Sequence, residues 1–140
     1  MQYSQKEKVL ISTLAKCEDI EDAREYYLNL VEFRKDLLQE SYITGLTKLL
    51  DAISHIDRII ILRILMEKDR CVCELEAILG KSQSNISYHL KILEELDLIK
   101  GWKKGKFTHY SAVRKSLEHL RYLFNTLIDD EVMKSNPNLF

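Results

Sequence analysis

The chain has 140 residues, 46% of them hydrophobic and 31% charged, which fits one soluble, helix-rich domain with a single core. No apolar run approaches the ~18 residues of a membrane span and the charged start lacks the core of a secretion signal. With only three cysteines, the expected compartment is therefore the reducing cytoplasm, with no membrane partner. A formal net charge of −1 excludes a global attraction to nucleic acid, so any such affinity has to come from local charge.

In chain order, Ser4 and Glu7 predict a capping box for a helix carrying Val9, Leu10 and Leu14. Cys17-Glu18-Asp19 reads as a break, with Asp19 the N-cap of the next helix. That helix sets Ile20, Ala23, Tyr27, Leu30 and Leu37 in a narrow stripe broken at Arg34. Such a stripe suits a seam between two copies of the chain, or ordinary packing against its own domain. Residues 44–54 form a short amphipathic helix on Leu46, Leu49, Leu50 and Ile53, which His55-Ile56-Asp57 interrupts. Residues 58–66 continue as a helix apolar nearly all round (Ile59, Ile60, Ile61, Leu62, Ile64, Leu65), expected in the middle of the fold. Residues 67–70 are expected as a solvated turn.

Residues 71–113 are the informative stretch. Val72, Leu75 and Leu79 give a short helix its buried side, and Gly80 ends it where a left-handed C-cap is needed. Ser82 is the natural N-cap of a second helix, in which Ile86, Leu90, Leu93 and Leu96 recur at helical spacing and must pack inward. Gln83, Ser84, Ser87, Tyr88 and Lys91 are left on the opposite face. Residues 99–102 and 106–113 then read as strands of a hairpin, with Gly105 supplying the positive φ of the turn. Between Leu98 and Leu117 there are six Lys or Arg and no acid. The order helix, glycine turn, helix, hairpin is that of a winged helix-turn-helix, with a mainly α fold, one small β-hairpin and extra N-terminal helices. In this reading Ser82 starts a helix for the DNA major groove. Gln83 can hydrogen-bond an adenine edge bidentately, Ser84, Asn85, Ser87 and His89 can donate or accept, and Tyr88 and Lys91 meet sugar and phosphate. His89, at the edge of the buried stripe, can equally be a packed histidine. Lys103, Lys104 and Lys106 at the wing tip would neutralise phosphates or enter the minor groove. The blander reading is a solvated helix face and a charged hairpin tip. Residues 114–129 form a last helix on Leu117, Leu120, Phe124 and Leu127 or Ile128, and the tail after residue 134 is expected to fray.

Cys71 and Cys73 lie two residues apart, which on a regular helix turns them ~200° from each other. They converge only if Cys71 precedes or opens the first helical turn, where the helix N-terminus favours thiolate, the form that binds soft metals. Cys71 can also serve as a small hydrophobe in an inward stripe with Leu75 and Ile78. Cys73 has no such role, because Glu76, Ala77 and Gly80 follow it. Oxidation of the pair, a redox switch, competes with metal binding. No paired-carboxylate, Ser-His-Asp or phosphate-loop pattern is present, so the chain reads as a non-enzyme.

The ordered motifs Ala52-Ile53-Ser54-His55-Ile56-Asp57-Arg58, Cys71-Val72-Cys73-Glu74-Leu75, Ser82-Gln83, Ser87-Tyr88-His89-Leu90 and the glycine-turn wing resemble the ArsR/SmtB winged-helix repressors. The resemblance covers roughly residues 46–128. It implies a homodimer that binds double-stranded operator DNA and releases it when a metal or metalloid binds. Residues 1–45 are then an N-terminal helical extension (an arm or dimerisation element), 46–128 the DNA-binding domain and 129–140 a tail. The resemblance allows the arm to bring Cys17 across a dimer. Three thiolates from Cys17, Cys71 and Cys73 would suit arsenite, Cd(II) or Pb(II) better than Zn, which usually takes four ligands. A second family site on the last helix would draw on Glu118, His119, Asp129 and Asp130, but their spacing departs from the pattern. Where family members tend to carry Asp-Pro-Thr, this chain has His55-Ile56-Asp57, a departure expected to affect a helix start and not the chemistry.

Overall fold

The computed structural model describes residues 2–129, so Asp130 and the tail lie outside the described residues. The chain divides into two compact units, Met1–Ser41 and Tyr42–Phe140. The first is a pair of packed helices, α1 (Gln5–Leu14) and α2 (Ala23–Gln39). The capping box forms as the sequence predicts: the Ser4 Oγ accepts from the Glu7 N–H at 3.3 Å and the Glu7 carboxylate accepts from the Ser4 N–H at 2.7 Å. Tyr27 Oη donates to the same carboxylate at 3.1 Å, tying α2 to the start of α1. The cap of α2 is Asp22 rather than Asp19, its Oδ1 accepting from the N–H groups of Arg24 and Glu25 at 2.8 and 3.1 Å. Ile20 therefore precedes the helix. Asp22 prevails because a cap must stand two or three residues before the N–H groups it satisfies.

The second unit contains α3 (Ser41–Ile53), α4 (Ile56–Glu67), β1 (Arg70–Cys71), α5 (Val72–Leu79), α6 (Gln83–Glu95), β2 (Ile99–Lys104), β3 (Phe107–Ala112) and α7 (Arg114–Ile128). The three strands form an antiparallel sheet in the order β1-β3-β2. Residues 67–70 are thus not all solvated turn: Arg70 and Cys71 pair with Tyr110 and His109, a two-residue strand too short to leave a periodic signal. Lys104 pairs with Phe107 across Gly105-Lys106, and Gly105 holds φ +62°. Gly80 closes α5 in the left-handed region, its N–H reaching the Glu76 carbonyl at 2.9 Å.

The core gathers Leu46, Leu49, Ile61, Leu62, Leu65, Leu75, Ile86, Leu90, Leu93, Leu98, Ile99 and Leu123. Ile86, Leu90 and Leu93 of α6 are buried completely, each worth about 1.5–3 kcal/mol of apolar transfer, and Leu96 is half-buried at the helix end. Two periodicity readings shift. Of the apolar residues of α4 only Ile61, Leu62 and Leu65 are fully buried, while Ile56, Ile59 and Ile60 face outward. α4 packs on α6 and β3, so among the described residues its remaining face is left uncovered and the helix is not central. On α7 Leu117 and Leu120 pack against the core as expected, but the fully buried residue is Leu123, with Phe124, Leu127 and Ile128 exposed. Among the described residues no helix is long and apolar enough to cross a membrane.

Candidate functional site

The helix-turn-helix is α5, the Gly80-Lys81 turn and α6. Ser82 caps α6 through Oγ, which accepts from the Asn85 N–H at 3.3 Å. Because Ile86, Leu90 and Leu93 pull one face inward, Gln83, Ser84, Ser87, Tyr88 and Lys91 are exposed together on the other. Asn85 is half-buried, its Oδ1 without a partner. His89 is 3% exposed, so its imidazole faces the interior and is not offered to a base edge. Of the two roles open to it in the sequence, the structure takes the packed one. Lys103, Lys104 and Lys106 all stand exposed at the wing tip.

The wing is held to the helix by backbone as much as by side chains. The Gly101 N–H donates to Glu94 Oε1 at 3.2 Å, and a Cβ at Gly101 would stand 2.7 Å from the Tyr110 ring, so β2 approaches its neighbour closely there. Trp102 stacks on His109 across the hairpin with ring centroids 6.0 Å apart. A neutral-polar helix face beside a tip of three lysines combines groups that can read base edges with cations that can hold phosphate.

Cys71 ends β1 and is the N-cap of α5, with extended backbone (φ −80°, ψ 162°). This meets the condition under which a CxC pair converges. The two sulfurs are joined in a disulfide with the Cα atoms 5.4 Å apart. Cys71 is 7% exposed and Cys73 is open to solvent. Leu75 is buried behind them, but Ile78 is half-exposed and forms no inward stripe with Cys71. The Cys71 N–H donates to Glu74 Oε2 at 2.8 Å, and Arg70 reaches Oε1 of the same carboxylate at 3.1 Å. Those contacts, the backbone donor first, hold the Glu74 carboxyl below its usual range. Cys17 is an exposed free thiol in the first unit, just after α1. Glu118 and His119 are exposed on α7, with His119 stacked on Tyr122.

A polar cluster behind α6 escaped the sequence reading. His55 caps α4, its Nδ1 accepting from the Asp57 N–H at 3.2 Å. Asp57 is buried, and its Oδ2 lies 3.5 Å from His89 Nε2, 3.8 Å from Lys81 Nζ and 4.0 Å from His55 Nδ1. The His55 and His89 rings stand 4.5 Å apart. Burial, then the neighbouring His55, holds the His89 imidazole below its ordinary pKa, although the Asp57 charge works the other way. The His55-Ile56-Asp57 departure therefore does more than start a helix. Two histidines 34 positions apart in sequence leave no local signal that they meet.

A helix-turn-helix with an exposed polar face and a lysine-tipped hairpin beside it defines a winged helix-turn-helix regulator. The bacterial regulatory protein arsR family model matches residues 57–100, from the start of α4 into β2. The chain is 33% identical over 91 residues to a cadmium resistance transcriptional regulatory protein, the CadC homolog of Staphylococcus aureus, covering 64% of this chain and 72% of that one. It is 48% identical over 40 residues to the arsenical resistance operon repressor of Bacillus subtilis, 29% of this chain and 38% of the relative. Among solved structures, a possible transcriptional regulator for arsenical resistance superposes with a TM-score of 0.54 at 28% identity, covering 65% of this chain and 95% of the other. The chain belongs to the arsR family of DNA-binding transcriptional regulators, and it is a regulator rather than an enzyme.

Proposed function

We propose that this chain is a homodimeric repressor that holds operator DNA with α6 and the wing, and releases it when a soft metal or metalloid ion is bound by Cys71 and Cys73. One observation carries the reading: β1 places Cys71 at the N-cap of α5, so two sulfurs that a continuous helix would separate come together. When the pair is reduced, that donor set fits the ion, with two thiols at a positive helix end, one of them open to solvent. The Cys71 and Cys73 thiolates would hold such an ion, and their softness favours arsenite, Cd(II) or Pb(II). Relatives named for cadmium and arsenical resistance support that class.

The protein's own part is transmission. α5 packs on α6 and is joined to it by the short Gly80-Lys81-Ser82 turn, so a rotation of α5 moves the reading helix. Two recognition helices must stand ~34 Å apart to engage one face of DNA, and an ion shifts that equilibrium only through its differential affinity for the two arrangements. The exposed Ile56, Ile59 and Ile60 stand at i, i+3 and i+4 on one face of α4 and so form one apolar patch, which supports the dimer.

The sulfur–sulfur bond favours a second reading, a redox switch. There a thiol oxidant removes two electrons and two protons from Cys71 and Cys73 as the bond forms. Anisotropy titration of the reduced chain on the DNA upstream of its own gene separates the readings. Under the metal reading, arsenite or Cd(II) weakens binding and Cys73→Ser abolishes the response, while a disulfide oxidant such as diamide leaves affinity unchanged. Under the redox reading the oxidant alone acts. A parallel Cys17→Ser titration tests whether the third thiol takes part.

A further inference from the structure

We propose that His55, Asp57 and His89 form a second metal site, distinct from the cysteine pair, for a borderline divalent cation of the zinc, cobalt and nickel class. One ligand atom from each residue lies within 4.8 Å of the others. Three donors spaced 3.5 to 4.8 Å apart leave a point about 2–2.8 Å from each, which a small swing of a ring brings to the ~2.0–2.2 Å that zinc takes with imidazole and carboxylate. His55 can make that swing, because its side chain is 43% exposed, whereas Asp57 and His89 are fixed at 10% and 3%.

His55 Nδ1 already accepts from the Asp57 N–H at 3.2 Å, but the contacts of Asp57 and His89 are long or missing, which an ion would correct. The Asp57 carboxylate is approached by His89, Lys81 and His55 at 3.5, 3.8 and 4.0 Å, all longer than the 2.7–2.9 Å of a charge-assisted hydrogen bond. His89 Nε2 has no closer partner, and Nδ1 is buried with none at all among the described residues. A buried imidazole that makes no hydrogen bond costs free energy, and a ligand bond on Nε2, the nitrogen facing Asp57, would offset part of that cost while Nδ1 stays unpartnered. Two imidazoles and one carboxylate are borderline donors, which separates this site from the soft thiolates at Cys71 and Cys73. Lys81 is the competing cation. It is half-exposed on the α5–α6 turn and swings to solvent when the dication takes its place. The bound ion would tie the first turn of α4 to the side of α6 that lies behind Tyr88.

The test uses the wild-type chain with the Cys71–Cys73 disulfide intact and Cys17 blocked, so that no thiolate reports. Co(II) titration should give a ligand-field spectrum saturating at one ion per chain. The imidazole nitrogen resonances of His55 and His89, and not those of His109 or His119, should shift with Zn(II). His55→Asn, which keeps a capping side chain on α4, should leave the melting temperature in place and weaken Co(II) by about tenfold or more, the smallest loss usual for disturbing a metal site. His89→Gln is the second variant, with the same expected loss. An absent ligand-field spectrum, or an affinity unchanged in His55→Asn, overturns the site. Neither result bears on the thiolate reading, which this form of the protein cannot express.

Discussion

At the scale of single residues, Cys71 has two separable jobs. Its backbone caps α5 through the Glu74 carboxylate, and its side chain supplies one of the two sulfurs. Serine is among the best N-cap residues, so Cys71→Ser should retain the helix and change stability by no more than about 1 kcal/mol in urea denaturation. The same variant should lose the arsenite or cadmium response in the anisotropy assay. If response survives with stability intact, Cys71 is a packing residue and nothing more. Glycine 101 is constrained by a neighbour and not by its own torsion, because a Cβ there would strike the Tyr110 ring at 2.7 Å.

At the scale of elements, the wing and the first helices make separate predictions. If Lys103 and Lys104 each neutralise a phosphate, Lys103→Ala with Lys104→Ala should reduce the slope of log K against log salt by about 1.8. The loss should be similar on specific and unrelated DNA. An unchanged slope would remove the wing from the interface. In the first unit, both helix starts rest on carboxylates held below their ordinary pKa. Glu7 is lowered by hydrogen bonds from the Ser4 side chain and then its backbone, and Asp22 by the N–H groups of Glu25 and Arg24. A depressed folded pKa stabilises fully above the unfolded value and is lost as pH falls through the folded one. Helicity of α1 and α2 should therefore decline below about pH 4, and Glu7→Gln with Asp22→Asn should flatten that acid arm in circular dichroism.

At the scale of the whole molecule, the repressor reading needs two copies, since reading two half-sites on one DNA face requires two recognition helices. The isoleucines that α4 leaves in water are the sharpest place to test this. Ile59, 53% exposed, touches no core that its loss would empty. Ile59→Lys should leave the melting curve of the fold nearly unchanged while shifting sedimentation towards monomer and weakening operator binding. A dimer that persists would place the interface elsewhere.

Much of this was legible before any coordinates, because it rests on local physics. The spacing of Ile86, Leu90 and Leu93 turned Gln83, Ser84, Ser87, Tyr88 and Lys91 outward; Gly80 and Gly105 marked the two turns; Ser4 with Glu7 wrote out its own cap. Helical periodicity and turn chemistry act over a few residues, so a chain read alone carries them. Tertiary structure decided what depends on partners distant in sequence. His89 went inward to meet Asp57 and His55, although its own segment allowed either face. Arg70 and Cys71 became a strand only because Tyr110 and His109 lie alongside, and that pairing is what lets two sulfurs meet. α4, apolar nearly all round, could not say which side its neighbours would cover, since composition records an affinity for burial and not the surface that supplies it.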